Sequence, residues 1–195
     1  MARPLSEEKR KAILYAAVEV MAELGESAPT AKIAKAAGVA EGTLFTYFST
    51  KDELLNQLYL TLTTEFHKAI LACLPRDNDL KSVLRTAWTT YINWALKNPE
   101  KLQVYRQLHV STHVTHENRI AGLEAYFWVL LLIFEHIKDG TLEDRTPAFI
   151  YAMMGSLAKA TIEVIHCDLS PKDELIISGF EAFWNGIRKQ KGENK

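Results

Sequence analysis

The sequence is poor in cysteine, and it contains no uninterrupted apolar stretch long enough to cross a membrane. Only Cys73 and Cys167 are cysteines among its 195 residues, which argues against a disulfide framework or a zinc ribbon. The apolar run from Tyr126 to Phe134 is far shorter than the roughly 18 residues that a transmembrane helix needs. Polar and charged residues follow Arg3, unlike the apolar stretch of a signal peptide. We therefore expect a cytoplasmic protein without a membrane partner, in which both cysteines are small buried residues.

An excess of charge of either sign is also missing. The chain has 23 Lys or Arg against 24 Asp or Glu, a formal net charge of −1. Residues 1–51 contain seven basic and six acidic side chains, so the asymmetry between the two ends is weak. This balance excludes a protein that coats nucleic acid indiscriminately. If DNA is the partner, its affinity must come from the placement of charges and from two copies that act together.

Motifs of catalysis and of metal binding are scarce. The sequence has no Gly-rich phosphate loop and no nucleophile elbow, and the pair Glu163 and His166 is too common on helices to indicate an enzyme. His109 and His113 are four residues apart and, with His116 nearby, could be metal ligands on one helix face. Because no acidic residue stands beside His109 as in zinc proteases, solvated histidines near helix ends are the better interpretation. We expect no enzyme activity, no bound metal and no cofactor.

Helical periodicity is present from end to end, and no alternating pattern suggests a strand. The pattern predicts an all-α fold with helices over 7–24, 30–37, 41–48, 51–74, 80–97, 99–112, 117–138, 145–167 and 171–188. Ser6 and Thr30 are the expected N-caps of the first two helices. Thr50 and Glu53 have the spacing of a capping box at the start of the fourth helix. Residues 190–195 look frayed.

Residues 30–48 have the order of a helix-turn-helix, in which a tight turn separates two short helices. Gly38 allows the positive φ that ends the first of them. Leu44 and Phe48 are four residues apart and are expected to face the core. The opposite face then carries hydroxyl groups suited to phosphates and to base edges in a major groove. This outward face consists of Thr43, Thr46 and Tyr47, beside Gly42.

The stretch VAEGTLFTYFSTKDEL at 39–54 resembles the signature of the TetR family of repressors. The whole chain is similar to the RamR-type branch, which regulates multidrug efflux, and GFEAFW at 179–184 is part of that similarity. The resemblance implies a helix-turn-helix DNA-binding domain of three helices at 1–50. A long helix joins it to a helical ligand-binding and dimerisation domain at 51–190.

Carried over residue by residue, the resemblance places operator contacts on Thr30, Gly42, Thr43, Phe45, Tyr47 and Lys51. Thr30 and Lys51 begin the helices that flank the recognition helix, where backbone N–H groups and a cation can bind phosphate. Thr46 is a further candidate contact and a departure, because the RamR-type pattern has arginine at that position. Because this cation is missing, we expect the operator sequence or the affinity for the operator to differ from those of the RamR-type branch.

The C-terminal two-thirds of the chain is rich in aromatic residues, most of which are expected to be core. The resemblance implies a site for a small hydrophobic or cationic aromatic ligand. Its candidate residues are Tyr59, Thr63, Phe66, Trp88, Tyr91, Tyr151 and Met154. Met154 stands where the RamR-type branch has a stacking phenylalanine, so stacking ligands are expected to bind differently.

The last two helices are the expected dimerisation surface, through Ile162, Gly179, Phe180, Phe183 and Trp184. Packing of these residues within their own chain is the alternative, and a homodimer is implied by the resemblance. These features together predict a transcriptional regulator that binds double-stranded operator DNA and releases it when a small molecule binds. The alternative is a TetR-like ligand- or protein-binding module without specific DNA binding.

Overall fold

The computed structural model describes residues 5–75, 79–124, 127–142, 145–167 and 170–189. The predicted contributions of Tyr126 and of residues 1–4 and 190–195 therefore lie outside the described residues. In the described part the fold is all-α, as predicted, and it contains ten helices. They are α1 (Glu7–Leu24), α2 (Thr30–Ala36), α3 (Glu41–Tyr47), α4 (Lys51–Leu71), α5 (Leu80–Lys97), α6 (Pro99–Val110), α7 (His116–Leu123), α8 (Phe127–Lys138), α9 (Pro147–Cys167) and α10 (Lys172–Ile187).

The ends of the first two helices follow the local sequence, with one exception. The Ser6 hydroxyl accepts a hydrogen bond from the Lys9 N–H at 3.3 Å, which confirms the predicted N-cap of α1. Gly25 and Gly38 have φ angles of 74° and 67°, the left-handed conformation that glycine adopts without strain. Thr30 is not the N-cap of α2, so that prediction is wrong. Its hydroxyl instead donates to a carboxylate on α3, and the helix begins at Thr30 itself.

The start of α4 is stabilised by a variant of the predicted capping box. The Thr50 hydroxyl accepts the Glu53 N–H at 3.0 Å, as expected. The Glu53 carboxylate reaches back one residue further than in the standard motif and accepts the Ser49 N–H at 2.7 Å. The hydrogen bond from the Ser49 hydroxyl, followed by that from its backbone, lowers the pKa of Glu53. The predicted pair therefore does begin the helix.

Two helix boundaries differ from the predicted ones by more than a residue or two. The helix predicted over 117–138 is described as α7 and α8, and residues 125–126 between them lie outside the described part. Helix α4 was predicted to reach Leu74 but ends at Leu71, because Ala72 and Cys73 form a turn directly after it. Cys73 and Cys167 are both exposed, so the expectation that they are small buried residues is wrong.

The chain divides into two compact units. Unit 1 comprises residues 1–65 and 98–124, in which α1 packs against α2 and α6. Unit 2 comprises residues 66–97 and 125–195, in which α9 packs against α10 and both pack against α5. The predicted domains at 1–50 and 51–190 are divisions of function, and they stay a prediction.

The core of unit 2 is built around Trp88 of α5. Its indole N–H donates to the Ile176 carbonyl at 2.9 Å, and its ring stacks on Phe183 with ring centroids 6.1 Å apart. Gly179 allows this close approach of α10, since a Cβ atom there would lie 2.9 Å from Trp88 Cζ2 and would also collide with Thr161. The absence of a side chain at this position is therefore part of the packing.

Candidate functional site

The outward face of α3 is the first candidate site, and two buried side chains orient it. Leu44 and Phe48 are almost fully buried, as the sequence predicted, and they hold α3 against the other helices of unit 1. The opposite side exposes Gly42 and Thr46, and the ring of Phe45 is 41% exposed. An aromatic side chain that exposed on a seven-residue helix is available to a partner.

Hydrogen bonds determine what the hydroxyl groups of this face can still do. The Thr46 hydroxyl donates back to the Gly42 carbonyl at 3.0 Å, so its proton is used within the helix. The Tyr47 hydroxyl oxygen accepts the Ser6 N–H at 3.1 Å, which leaves the phenolic proton free to be donated. Thr30, a predicted phosphate contact, donates to Glu41 at 2.6 Å. Glu41 is the one charged residue of α3.

The start of α4 carries Lys51, the cation that was predicted to contact DNA. Lys51 is the first residue of this helix and is half-buried. Asp52 and Glu53 follow it in the same turn, where acidic groups favour the helix dipole. The carboxylate of Glu53 is already engaged by Ser49, so Lys51 is the group of this turn that can attract a phosphate.

A buried amide in α4 connects this helix to the segment between α6 and α7. The Asn56 amide nitrogen donates to the Asp52 carbonyl at 2.7 Å and to the His113 carbonyl at 2.8 Å. Its oxygen accepts the Thr115 N–H at 3.0 Å and the Asn118 amide at 2.7 Å. Four bonds satisfy both donors of the side chain and use both lone pairs of its oxygen. Sequence reasoning missed this residue, although an asparagine between Leu55 and Leu58 was a signal.

The same segment is also tied to the connection between α1 and α2. His113 Nδ1 lies 2.7 Å from an Asp52 carboxylate oxygen, and its Nε2 lies 3.9 Å from Glu26. Glu26 also accepts a hydrogen bond from Ser111. His113 therefore bridges two carboxylates. In the described part of the chain, no group of three His, Cys, Asp or Glu side chains could hold a metal ion.

The predicted ligand residues fall into separate groups. Tyr59 and Thr63 belong to unit 1, where the Thr63 hydroxyl donates to the Tyr59 carbonyl at 2.8 Å. The Tyr59 ring stacks on Tyr105 at 5.9 Å, and burial raises the pKa of its hydroxyl. Gly122 packs so closely here that a Cβ atom would lie 3.2 Å from both Tyr59 and Thr63. This group is tightly packed around Gly122, and its role in ligand binding stays a prediction.

The remaining predicted ligand residues lie in unit 2. Phe66 and Tyr91 meet edge to face with ring centroids 5.6 Å apart, and Trp88 lies in the core described above. Tyr151 and Met154 line a cavity between α5, α8 and α9. The other lining residues are Leu84, Ala87, Val129, Leu130, Ile133 and Ile150, so the walls carry no charged group. The cavity volume is about 10 Å³, room for about one water molecule.

Helix α9 exposes one side to solvent along its whole length. By length and composition alone, this 21-residue helix could cross a membrane. Only 22% of its most apolar 18-residue segment is buried, and the mean hydropathy of that segment is 1.4. Six of the exposed positions of α9 recur at helical spacing along this side. They are Phe149, Ala152, Ser156, Ala160, Glu163 and Cys167, which we call the α9 stripe.

The predicted dimerisation residues do not belong to this stripe. Ile162, Phe180 and Phe183 are buried in the core of their own unit, and Trp184 and Gly179 are half-buried beside them. These are the burials within one copy of the chain, and the role of the five residues in dimerisation stays a prediction. The large apolar residue that α10 exposes is Ile177, which is 62% exposed.

Comparison with known proteins identifies relatives of the chain. The model of the family described as "Bacterial regulatory proteins, tetR family" matches residues 13–58. The HTH-type transcriptional regulator YvdT of Bacillus subtilis (strain 168) is 39% identical over 77 residues, which cover 39% of this chain. The match spans 40% of the length of that relative.

Two solved structures match almost the whole chain. A protein from Shewanella sp. PV-4, assigned to the TetR family of transcription regulators, is 30% identical with a TM-score of 0.83. The match covers 93% of this chain and 99% of that one. A TetR-family transcription regulator from Marinobacter aquaeolei VT8 is 25% identical with a TM-score of 0.86, over 94% of this chain and 97% of that one.

Proposed function

Because the chain belongs to the TetR family of transcriptional regulators, we propose that it is a ligand-responsive repressor. It binds operator DNA as a homodimer and leaves the DNA when a small hydrophobic molecule enters unit 2. The observation that carries the proposal is the outward face of α3, which is held in place by Leu44 and Phe48 and exposes groups suited to a major groove.

DNA binding uses two kinds of contact in this proposal. Phe45, Thr43 and Thr46 lie against base edges, and Gly42 lets the backbone come close to a phosphate. Tyr47 donates its free phenolic proton to a phosphate while its oxygen stays bonded to Ser6. Thr30 and Lys51 contact phosphates on either side, and Thr30 exchanges its bond to Glu41 for one to the DNA.

The test is a fluorescence-anisotropy titration against the intergenic DNA upstream of the gene and against a scrambled duplex. Wild-type protein is expected to bind only the native duplex tightly. Phe45→Ala is expected to weaken binding at least tenfold, because the ring is the largest exposed group of α3. The matched control is Tyr15→Ala, which removes a more exposed aromatic ring (59%) from α1, where it lies under the Lys101 ammonium group. If the protein binds both duplexes with equal affinity, and this affinity simply falls as the salt concentration rises, the alternative of a binding module without specific DNA recognition is favoured.

The second copy covers the α9 stripe in this proposal. An apolar helix whose most apolar 18 residues are only 22% buried is unfavourable in water, and two copies related by a twofold axis would bury the stripe against itself. The two α3 helices of such a dimer read half-sites about one helical turn, roughly 34–36 Å, apart. Ile162, Phe180 and Phe183 then support the interface from behind.

Light scattering measures this assembly directly. The wild type is expected at twice the chain mass of 22.1 kDa. Ala160→Arg, at the centre of the α9 stripe, is expected to shift the protein towards monomer and to weaken operator binding. Thr64→Arg, at an exposed position on α4, is the control that should leave the mass unchanged. A dimeric Ala160→Arg variant contradicts the proposed interface.

The effector site lies at the cavity of unit 2 in this proposal. Its walls carry no charged group and one aromatic ring, that of Tyr151, so they favour an uncharged hydrophobic ligand over a cationic drug, which would have no acidic partner there. Because the cavity holds about one water, the ligand must separate α5, α8 and α9 as it enters. Ligand binding therefore favours a different packing of these helices, which is the differential affinity that release from DNA requires.

A cavity-filling variant tests this site. Val129→Ile adds one carbon at the cavity wall, about the size of the one water that fits there, and is expected to keep operator affinity while weakening release by hydrophobic compounds that release the wild type. If the same compounds at the same concentrations release the variant and the wild type alike, the effector site lies elsewhere.

The proposed role in repression has a separate test. Deletion of the gene should raise expression from the promoter next to the operator.

A further inference from the structure

The chemistry of the α3 face restricts which bases it can read. The helix EGTLFTY contains no Lys or Arg, and its single charged group, Glu41, is bonded to Thr30. The commonest contact to guanine, a bidentate arginine or lysine, is therefore not available from this helix. What α3 does expose is an aromatic ring at position 45 and a β-branched side chain at position 46.

The hydrogen bond of Thr46 decides which of its groups meets the DNA. Its hydroxyl proton is donated to the Gly42 carbonyl at 3.0 Å, the usual back-bond of threonine in a helix. Donation to a phosphate or to a base acceptor would first require this bond to break. The methyl group and the lone pairs of the oxygen are what the side chain presents without rearrangement.

Only thymine carries a methyl group in the major groove, and threonine methyls and phenylalanine rings are its typical apolar contacts. We propose that Thr46 is a specificity-determining residue that reads the 5-methyl group of a thymine in each operator half-site. Phe45 flanks the same thymine. This inference rests on the proposed function of operator binding and adds to it the base, the atom and the residue.

The test combines two threonine variants with a uracil scan of the operator. Footprinting first defines the half-sites, and each thymine is then replaced in turn by deoxyuridine, which removes only the methyl group. Thr46→Val keeps the methyl group and loses the hydroxyl. Thr46→Ser keeps the hydroxyl and loses the methyl group. Anisotropy titrations at fixed salt give the affinity of every pair of protein and duplex.

One uracil position per half-site is expected to weaken wild-type binding about fourfold, the value of roughly one buried methyl group. Because Thr46→Ser removes the methyl group in both half-sites of the dimer, it should weaken binding to the thymine duplex about sixteenfold. It should lose nothing further on a duplex with uracil at that position in both half-sites, because both contacts are already absent. Thr46→Val should bind both duplexes as the wild type does, within about twofold. Such a double-mutant cycle isolates the pair from indirect effects.

The control variants are Thr61→Val and Thr61→Ser. Thr61 is exposed on α4 and donates to the Gln57 carbonyl at 2.7 Å, so it reproduces the local environment of Thr46 away from α3. Neither control should change the uracil profile, and melting curves of all four variants should match the wild type.

Three outcomes overturn the inference. A flat uracil scan with tight operator binding shows that no thymine methyl group is read. Loss of affinity in Thr46→Val with full affinity in Thr46→Ser shows that the hydroxyl group makes the contact. Failure of the wild type to prefer any upstream duplex over the scrambled one removes the proposed function itself, and the inference with it.

Discussion

The buried amide of Asn56 is expected to be the most sensitive polar group of unit 1. Replacement by alanine breaks four hydrogen bonds and leaves the His113 carbonyl, the Thr115 N–H and the Asn118 amide without their partner. An unpaired buried polar group costs about 1–3 kcal/mol, but Thr115 is exposed and can turn to water. We therefore expect Asn56→Ala to reduce the free energy of unfolding by about 3 kcal/mol.

The expected loss is large enough to measure in two ways. For a chain of this size, about 3 kcal/mol corresponds to a decrease in Tm of roughly 6–12 °C. Hydrogen exchange gives a local readout, since the Thr115 amide donates directly to Asn56 and should exchange roughly 100-fold faster in the variant. Asn118→Ala removes one of the four bonds and should lower the stability by about 1 kcal/mol.

Operator binding should respond to the same change. The segment between α6 and α7 is bonded to α4 through Asn56 and Asp52 and to the α1–α2 connection through Glu26. Loosening it should weaken operator affinity even though no contact to DNA is removed. If the melting temperature and the Thr115 exchange rate of Asn56→Ala equal those of the wild type, the reasoning from buried hydrogen bonds is refuted for this site.

Two further predictions concern unit 2. Gly179→Ala should destabilise the protein by about 1–3 kcal/mol, because the new Cβ collides with Trp88 and its neighbours. Gly186→Ala is the control: its Cβ meets only the flexible end of Met153 and should cost little stability. Urea titrations compare the two variants, and equal unfolding midpoints would contradict the described packing. Burial lowers the pKa of His67 from an ordinary 6.5 to about 4. Between these pH values the unfolded chain therefore binds a proton that the folded chain does not. The free energy of unfolding should fall by on the order of 3 kcal/mol from pH 6.5 to pH 4, and the contribution of His67 should stay flat above pH 6.5. His67→Gln should flatten that profile, and a pH dependence identical to the wild type would assign it to other groups.

The helix-turn-helix was predictable because its determinants are local. Gly38 has the positive φ that the turn demands, and Leu44 and Phe48 lie on one face because they are four residues apart. The cap of α4 was also found correctly, from Thr50 and Glu53 alone. The predicted cap at Thr30 was wrong because the helix begins one residue earlier than expected, so that Pro29 holds the cap position and Thr30 is the first helical residue, whose hydroxyl donates to Glu41.

The C-terminal half shows where sequence periodicity stops being informative. An apolar face on α10 predicts burial but does not say against which partner, and here Phe180 and Phe183 pack on Trp88 of the same chain. The candidate ligand residues were chosen by position along helices, and Tyr59 and Tyr151 belong to different compact units.

Local spacing, turns and the caps at Ser6 and Thr50 were therefore determined by the sequence alone, because each depends on neighbours a few residues away along one helix. Tertiary structure alone decided three other features: the four partners of Asn56, the lining of the cavity and the exposure of the α9 stripe. Each of these depends on which helices meet in space, and that choice is made by the packing of whole faces.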